Sequence, residues 1–270
     1  MRESQILRTI IAARRRRIEE LRASAPLGRL RQQAESRSDF RDFAAALSGE
    51  GLSVIAELKK ASPSRGVLRP DFRPPEIAES YQQAGASALS VLTEEEFFQG
   101  SMDHLKAARA AVHLPVLRKD FIIHEYQVYE SVAAGADAFL LIVAALEDKE
   151  LRHFLELAER LRIAALVEVH TAEELDRAID CGAQIIGVNN RDLNTLEVGL
   201  ETSFLLREKI PPGCLTISES GIKSGADLEK LAKAGFDAVL IGEHLMLGRD
   251  PGEELSRLIK SAPTLKMAGA

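Results

Sequence analysis

Short apolar runs alternate with longer segments along most of the chain. The runs place Val, Ile, Leu and Ala on consecutive positions, which is typical of parallel strands that are covered on both faces. The segments between them are long enough to hold the helices that connect one parallel strand to the next. We predict eight such strands, at residues 53–59, 87–92, 115–119, 137–143, 163–168, 184–189, 214–219 and 237–242.

Helix start signals occur in the segments between these strands. Pro74 and Pro75 predict one helix start, because proline is favoured in the first helical turn. Thr171 followed by Glu174 predicts a capping box, in which the two side chains satisfy each other's backbone amides. Ser224 predicts the start of a later helix. Helices therefore separate the strands along the chain.

A glycine stands just before several of the apolar runs, at the end of a helical segment. Glycine readily adopts the left-handed conformation that stops a helix before a tight turn into a strand. The spacing of these glycines indicates a strand–helix–strand–helix unit that is used four times. The four are Gly85, Gly135, Gly182 and Gly235.

Ionisable or amide residues stand at the ends of the apolar runs. Lys59, Lys119, Glu168, Asn189 and Glu219 each finish a different run, and they lie far apart in sequence. Burying an unpaired charge costs several kcal/mol, so the interior of a strand has no use for these groups. The parallel strands of a β/α barrel bring their C-terminal ends to a common mouth, where such groups can meet. The pattern therefore predicts an α/β fold, a single eight-stranded parallel β/α (TIM) barrel.

The barrel is predicted over residues 49–270, and an N-terminal helical extension that packs on it is predicted over residues 1–48. One face of the first helix carries regularly spaced apolar residues. The basic run 14–17 is expected on the solvated face of this helix, or else helps to attract an anionic substrate. Residues 24–38 are expected to be irregular and 39–47 to form a short helix. The apolar face comprises Ile6, Ile10, Ile18 and Leu21.

The composition narrows the classes of function. The 270 residues carry a net charge of −6, which argues against a nucleic-acid-binding surface. The longest apolar stretch, 138–146, is far shorter than the roughly 20 residues that span a bilayer. The first residues contain no signal-peptide pattern, and the two cysteines, Cys181 and Cys214, form no disulfide framework or metal-binding spacing. We expect a cytoplasmic protein without membrane or nucleic-acid partners, and the sequence is compatible with a monomer.

The polar strand ends predict acid–base chemistry. Glu57 and Lys59 are two residues apart in a strand and so share one face. Alone they could form a simple ion pair, but Lys119 and Glu168 are predicted to meet them at the same mouth. Lysines and carboxylates that share one pocket shift each other's pKa values, as proton transfer near neutral pH requires.

Glycines after the last two strands predict a phosphate site. Gly221 follows the seventh strand, and Gly242 follows the eighth and precedes a short helix at residues 243–247. The loops after these strands are the usual phosphate site of β/α barrels, although both glycines could serve only to make tight turns. The loop 60–66 is predicted to be a mobile lid, or else an ordinary surface loop. A phosphorylated small molecule is the expected ligand.

Several of these segments resemble the indole-3-glycerol phosphate synthase family. The resemblance covers roughly residues 50–250, and the first two of the segments that follow are highly specific in combination. The segments are Glu57-Leu58-Lys59-Lys60-Ala61-Ser62-Pro63-Ser64, Lys119-Asp120-Phe121, Phe97-Phe98-Gln99-Gly100-Ser101, Leu166-Val167-Glu168-Val169-His170, Asn189-Asn190-Arg191-Asp192-Leu193, Ser218-Glu219-Ser220-Gly221 and Ile241-Gly242-Glu243.

The resemblance implies an activity and roles for four residues. Members close the ring of 1-(2-carboxyphenylamino)-1-deoxyribulose 5-phosphate with loss of carbon dioxide and water, in tryptophan biosynthesis, without a cofactor or metal. Lys119 is then the general acid at the ketone, and Glu168 is a base or acid in the later dehydration. Glu57 and Lys59 orient the substrate and assist the dehydration.

The resemblance also implies a wider set of site residues. Asn189 and Glu219 hold the hydroxyls and the catalytic side chains, and Ser220 completes the catalytic set. We expect the Glu243 carboxylate to point out of the site, because it would repel a phosphate dianion. The implied substrate-binding residues are Ser62, Pro63, Phe98, Phe121, Arg191, Gly221, Gly242 and Glu243.

Three other functions are compatible with the same fold. A Schiff-base aldolase could use Lys119 as its nucleophile, but it would leave Glu57 and Lys59 without a role. A phosphoribosylanthranilate isomerase would need a Cys/Asp pair, and no cysteine ends an early strand. A non-catalytic phosphosugar-binding barrel would not need Lys119 and Glu168 together.

Overall fold

The structure, a computed structural model, describes residues 5–193 and 195–262. The predicted domain limits at residues 1 and 270 therefore lie outside the described residues. The strands in chain order are β1 (Ser53–Leu58), β2 (Ala61–Ser62), β3 (Gly66–Val67), β4 (Ala88–Leu92), β5 (Val116–Lys119), β6 (Ala138–Ile142), β7 (Ala164–Val169), β8 (Ile185–Asn189), β9 (Leu215–Glu219) and β10 (Ala238–Ile241).

Eight of these strands form a closed parallel barrel in the order β1-β10-β9-β8-β7-β6-β5-β4, which closes because β4 also pairs with β1. The predicted fold class is confirmed, and every predicted end of a barrel strand lies within one residue of the observed end. The agreement arises because each run begins after a helix-ending turn and ends where buried apolar residues stop. The remaining pair, β2 and β3, is a short antiparallel hairpin after β1.

Helices cover the outside of the barrel and precede it. Each barrel strand of the described chain is followed by at least one helical segment. In chain order the helices are α1 (Gln5–Ser24), α2 (Leu27–Ser36), α3 (Phe43–Leu47), α4 (Pro74–Gln83), α5 (Met102–Ala111), α6 (Glu125–Ala133), α7 (Asp148–Leu161), α8 (Ala172–Asp180), α9 (Glu201–Arg207), α10 (Gly225–Lys233), α11 (Glu243–Leu247) and α12 (Pro251–Lys260), with a 3₁₀ turn at Val143–Ala145.

The hydrophobic core has two layers. One lies between the strands and the surrounding helices, and the other fills the barrel interior. Phe43 and Leu47 of α3 are fully buried against the interior layer, where they meet Ile55 of β1. Because α3 lies next to the beginnings of the strands, it closes the N-terminal end of the barrel. The C-terminal end is left for polar side chains.

The predicted helix starts are confirmed, and one predicted capping hydrogen bond is wrong. Pro74 begins α4, and the Ser224 side chain forms a capping box with Asp227. Thr171 caps α8 by accepting the amide of Glu174, as predicted. The second half of that capping box is wrong: the Glu174 carboxylate accepts the backbone N–H of His170, not that of Thr171. This shift of one residue ties Glu174 to the end of β7.

The N-terminal extension departs from the prediction in several places. Residues 24–38 are not irregular, because α2 packs the apolar positions Leu27, Leu30 and Ala34 onto the barrel. These residues follow a helical spacing that the polar composition of the segment hid. The short helix predicted at 39–47 begins only at Phe43, after Asp42 caps it.

The buried face of α1 is rotated from the predicted one. Ile10 and Ile18 are buried as expected, whereas Ile6 and Leu21 are partly exposed. Arg14 lies within the buried face, so the basic run is not wholly solvated. Arg15 and Arg16 are exposed, and whether they attract a substrate stays a prediction. The Arg14 guanidinium donates to the Asp120 carboxylate over 2.9 Å, which fastens α1 to the end of β5. Within the described residues, no helix has the length and apolar character needed to cross a membrane.

Candidate active site

A cavity of about 670 Å³ opens at the C-terminal ends of the barrel strands. All fifteen residues that the sequence predicts for the site line this cavity. The structure therefore brings together side chains from β1, β5, β7, β8 and β9 and from the loops that follow the strands. They are Glu57, Lys59, Ser62, Pro63, Phe98, Lys119, Phe121, Glu168, Asn189, Arg191, Glu219, Ser220, Gly221, Gly242 and Glu243.

Glu57 and Lys59 form an ion pair on one wall. The Lys59 ammonium lies 2.8 Å from Oε1 of Glu57, and the Ser90 hydroxyl donates to Oε2 over 3.4 Å. Gly242 lies directly beside this pair, because a Cβ atom there would come within 2.2 Å of Oε1 of Glu57. Its φ of −128° requires no left-handed conformation. Glycine is needed at this position for close approach rather than for a tight turn.

Lys119 holds two carboxylates at the base of the cavity. Its ammonium lies 2.5 Å from Oε2 of Glu168 and 2.7 Å from Oε2 of Glu219. Both carboxylates are almost completely buried. Gly187 on β8 leaves room for this arrangement, because a Cβ atom there would lie 2.2 Å from Oε1 of Glu219. Gly187 is absent from the predicted site residues, because its one signal in the sequence is a glycine inside an apolar strand.

The three groups divide their protons unequally. Burial alone would lower the pKa of Lys119, but Glu168 and Glu219 outweigh it and raise that pKa above its ordinary value. Burial raises the pKa of Glu168, yet the charges of Lys119 and His170 outweigh it and lower that pKa to about 2. Burial, helped by the charge of Glu168, raises the pKa of Glu219 to about 7 against the influence of Lys119. Near neutral pH the site contains an ammonium, a carboxylate and a carboxyl group close to its titration point.

His170 contacts the other side of Glu168. Its Nε2 lies 3.4 Å from Oε1 of Glu168, and its Nδ1 lies 3.2 Å from the Glu174 carboxylate. The sequence analysis gave His170 no role, although the strand alternation places it on the same face as Glu168. The Asn189 side chain also hydrogen-bonds Glu168 and helps to lower its pKa. Glu168 is thus held by lysine, histidine and amide groups from three directions.

Glu243 lies at the rim between two arginines. Its Oε1 lies 3.2 Å from Nε of Arg65, and its Oε2 lies 3.4 Å from Nη2 of Arg191. The expectation that this carboxylate points out of the site is wrong. Two guanidinium groups hold it at the rim of the cavity, because each offers a nearby positive charge and a planar set of donors.

Two aromatic rings line the cavity in the segments that follow the neighbouring strands β4 and β5. The ring centroids of Phe98 and Phe121 lie 6.1 Å apart at an interplanar angle of 38°. The buried Glu94 carboxylate holds the Phe98 loop by accepting the backbone amides of Phe97 and Phe98 over 2.7 and 3.0 Å. This gives one side of the cavity an apolar slot of the kind that accepts an aromatic ring.

The turn after β9 has an unusual backbone. Ser220 and Gly221 both have positive φ, at 67° and 84°. Such a conformation costs a non-glycine residue free energy and occurs where the surrounding structure enforces it, often at functional sites. The Asn190 amide donates to the carbonyls of Glu219 and Ser220 over 2.9 and 3.0 Å. Asn190 therefore fixes the turn that follows the catalytic-site strand.

The hairpin of β2 and β3 occupies the predicted lid segment. Ser62 and Pro63 at its turn end line the cavity, and the hydroxyls of Ser62 and Ser64 lie 3.4 Å apart. The segment is thus a short paired structure rather than an unpaired loop. Whether it moves as a lid stays a prediction.

The chain matches known proteins over most of its length. The family model for indole-3-glycerol phosphate synthase matches residues 7–258. The chain belongs to the indole-3-glycerol phosphate synthase family. It is 57% identical over 241 residues to the family member of Chloroherpeton thalassium, covering 88% of this chain and 93% of that protein. It is 50% identical over 259 residues to that of Chromobacterium violaceum, covering 94% and 98%.

Solved structures share the architecture of this synthase family at low sequence identity. A thiamine phosphate pyrophosphorylase from Pyrococcus furiosus superposes with a TM-score of 0.60 at 18% identity, covering 79% of this chain and 96% of that chain. A 3-hexulose-6-phosphate synthase gives a TM-score of 0.61 at 14% identity, covering 78% and 99%. At such identities the likeness describes the barrel fold alone.

Proposed function

We propose that this member of the synthase family converts 1-(2-carboxyphenylamino)-1-deoxyribulose 5-phosphate to indole-3-glycerol phosphate, with loss of carbon dioxide and water. It thereby acts as a carboxy-lyase in tryptophan biosynthesis. The observation that carries the proposal is the Lys119 ammonium, held between Glu168 and Glu219 at the base of a cavity that also contains the Glu57–Lys59 pair. Two acid–base pairs in one cavity suit a reaction with several proton transfers.

Lys119 is the general acid of the first step. As the aromatic carbon attacks the ketone, negative charge develops on the ketone oxygen, and the ammonium stabilises it and transfers a proton. A charged donor fixed in a partly buried site is well suited to this, because it need not reorganise during the reaction. The same protonation argues against a Schiff-base aldolase, since an amine with a raised pKa remains an ammonium and is not a nucleophile.

The loss of carbon dioxide uses the substrate's own electrons. Ring closure places positive charge on the aromatic amine system, and the electron pair of the breaking C–C bond restores the aromatic ring. Phe98 and Phe121 would hold that ring in the apolar slot. Removing water from around the carboxylate favours its departure, because the charge is lost as carbon dioxide leaves.

The dehydration needs one group that removes a proton and another that supplies one to the leaving hydroxyl. Glu168 is ionised near neutral pH and takes the role of base, and it becomes an acid once it is protonated. Glu57 and Lys59 orient the substrate and assist the departure of the hydroxyl. Asn189 and Glu219 hold Glu168 and Lys119 in place, and Ser220 lies beside them in the turn after β9.

The rim supplies binding groups for the phosphate. Arg65 and Arg191 carry positive charge there, and the backbone at Gly221 and Gly242 allows close approach. We propose that the substrate phosphate competes with the Glu243 carboxylate for these guanidinium groups. Ser62 and Pro63 complete this wall of the cavity.

The setting of the enzyme follows from the same considerations. A phosphorylated small molecule is its partner, and the net charge of −6 disfavours binding to nucleic acid. We propose a cytoplasmic, monomeric enzyme in which residues 49–270 form the catalytic barrel and residues 1–48 an extension that packs on it.

The activity is tested by adding the carboxyphenylamino-deoxyribulose phosphate to the purified protein and following indole fluorescence. We expect catalytic formation of the fluorescent product. Absence of product with enzyme in excess over substrate would contradict the proposal. Parallel treatment with a keto-sugar phosphate and borohydride distinguishes the aldolase, because a stable adduct on Lys119 would form only if that amine were nucleophilic.

The raised pKa of Glu219 predicts a pH effect. Below a pH of about 7 this carboxyl is protonated, and Lys119 then faces one carboxylate instead of two and is a stronger acid. We expect kcat/KM to fall as the pH rises through this value, and Glu219→Gln, which mimics the protonated group, to lack that decline. The measurement is kcat/KM against pH, which reports groups of the free enzyme. Glu156→Gln on exposed α7 is the control, and an unchanged decline in Glu219→Gln would contradict the assignment.

A further inference from the structure

His170 lies beside a second cavity that adjoins the active-site cavity. The second cavity, of about 960 Å³, adjoins the first on the side of β7 and β8. His170 and Glu174 line the second cavity, whereas Glu168, which His170 contacts, lines the first. A histidine placed between a catalytic carboxylate and a separate cavity can transfer protons between them.

The proposed reaction consumes one proton in each cycle, and this proton must reach the groups around Glu168. With the substrate carboxylate ionised, the balance is substrate anion plus one proton giving indole-3-glycerol phosphate, carbon dioxide and water. One proton must therefore enter the site in each cycle. Because Glu168 lines the first cavity, a substrate bound there would cover it from that side, and the proton would need another route.

We propose that His170 is a positioning residue that acts through Glu168, fixing its carboxylate and delivering to it the proton consumed in each cycle, drawn from water in the second cavity. This inference rests on the proposed function, because that reaction sets the proton balance. Glu174 orients the imidazole, in the manner of the carboxylate that orients a catalytic histidine.

The contacts of the imidazole fit this role better than that of a structural histidine. Nδ1 is held by Glu174 at 3.2 Å, and Glu174 is itself fixed by the backbone N–H of His170 over 2.7 Å. Nε2 is buried without a hydrogen-bond partner and lies 3.4 Å from Oε1 of Glu168. A buried polar atom left unpaired is costly, and it is retained where it has a function.

Charged groups around His170 favour its protonated form. Burial alone would lower the pKa of His170, but Glu174, Glu168 and Glu219 together raise it above its ordinary value. Lys119 opposes them from the far side of Glu168. The second cavity adds cations and carboxylates further away, from α8, α9 and the loop after β8. They are Arg177, Arg191, Asp192, Glu197 and Glu201.

The transfer is balanced in a single cycle. Once Lys119 has given its proton to the ketone oxygen, the Glu168 carboxylate takes the Nε2 proton of the imidazolium. The N–H electron pair stays on nitrogen, an O–H bond forms on Glu168, and the imidazole becomes neutral. Glu168 then passes this proton to the Lys119 amine, so that the O–H bond breaks, an N–H bond forms, and the site returns to a carboxylate and an ammonium. His170 then recovers a proton from water in the second cavity, and no oxidant or reductant is required.

The test compares His170→Asn and His170→Gln with the unsubstituted enzyme under saturating substrate. We expect kcat to fall about tenfold to hundredfold while KM changes little. This is less than the roughly 10²–10⁴-fold loss for a group that touches the substrate, because His170 acts through Glu168. Added imidazole should raise kcat of the variants but not of the unsubstituted enzyme, and the pH profile of kcat should change. Glu174→Gln should give a smaller loss in the same direction. His153→Asn, on exposed α7, is the control.

Several outcomes would overturn the relay. A kcat and pH profile equal to those of the unsubstituted enzyme would do so, as would a loss of kcat that no concentration of imidazole relieves in a variant with an unchanged unfolding temperature. If neither His170 variant folds, Glu174→Gln decides through its pH profile. Failure of the proposed function is distinguishable, because the unsubstituted protein would then make no indole product.

Discussion

Lys119→Ala is expected to abolish measurable ring closure while the substrate still binds. The ammonium contacts both Glu168 and Glu219, so its removal eliminates the general acid and also leaves two buried carboxylates without this cation. Without the lysine, burial raises the pKa of Glu168, which then no longer serves as a ready base. We expect kcat to fall by at least about 10²–10⁴-fold, the range for one acid–base group, because two functions are lost together.

Substrate binding should suffer much less than turnover. Arg65 and Arg191 remain at the rim, and the Phe98–Phe121 slot is unchanged. The measurement pairs single-turnover indole fluorescence with calorimetric binding of the substrate to Lys119→Ala. Lys119→Met, which keeps the length of the chain, tests whether the cavity left by alanine matters. Lys233→Ala, exposed on α10, is the control. Turnover within tenfold of the unsubstituted enzyme would exclude Lys119 as the general acid.

The barrel and its mouth could be predicted because both follow from patterns local to each segment. An apolar run predicts a strand that is covered on both faces, and a polar residue at the end of the run predicts a position at the C-terminal mouth of the barrel. Lys59, Lys119 and Glu168 end different apolar runs, and the position of each at the barrel mouth can be predicted from its own run alone. Closure of the barrel then brings them together, so fifteen predicted residues share one cavity.

Other features depend on which partner a side chain meets. The Glu243 carboxylate was expected to point outwards because it would repel a phosphate. It instead forms ion pairs with Arg65 and Arg191, which are distant in sequence. His170 directly follows β7, and its contact with the Glu174 carboxylate depends on how α8 packs against the end of that strand. Sequence periodicity predicts which face of a helix or strand a residue occupies. It does not predict which charged side chain of another element will contact that face.

Arg14 shows the same distinction for stability. Its place in a run of four arginines favoured a solvated position, whereas the helix rotates to bury it against Asp120. Asp120 also accepts from Arg118 over 3.0 Å and from the Thr93 hydroxyl over 2.5 Å. Its other oxygen accepts the Phe121 amide over 2.8 Å. One buried carboxylate therefore joins α1, β5 and the loop after β4.

Asp120→Asn is expected to destabilise the protein strongly. An asparagine keeps the shape of the side chain but removes the charge that compensates Arg14, and it also loses acceptor capacity. Arg118 loses one of its two carboxylate partners and keeps Glu130 at 2.8 Å. Breaking a buried ion pair by removing one partner costs about 3–5 kcal/mol, which corresponds to a fall in Tm of roughly 10 °C for a chain of this size. The measurements are thermal and urea unfolding at neutral pH.

The pH dependence of stability distinguishes the loss of charge in Asp120→Asn from a loss of packing. Burial would raise the pKa of Asp120, but Arg14 and Arg118 outweigh it and lower that pKa below its ordinary value. The carboxylate therefore contributes stability above the pKa of the unfolded chain, near 3.8, and loses it as the pH falls through the lower folded value. The stability difference between Asp120→Asn and the unsubstituted protein should thus be full at neutral pH and shrink in acid.

A surface charge on the same helix provides the comparison. Glu20→Gln removes an exposed partner of Arg17 and should change stability by less than about 1 kcal/mol, because exposed ion pairs are weak. Hydrogen exchange should then show α1 losing protection in Asp120→Asn and not in Glu20→Gln. Equal effects of the two substitutions, or a difference that does not depend on pH, would show that the buried carboxylate does not fasten the helix. Since Leu7 and Ile10 of α1 line the active-site cavity, a loosened helix should also weaken substrate binding in Asp120→Asn.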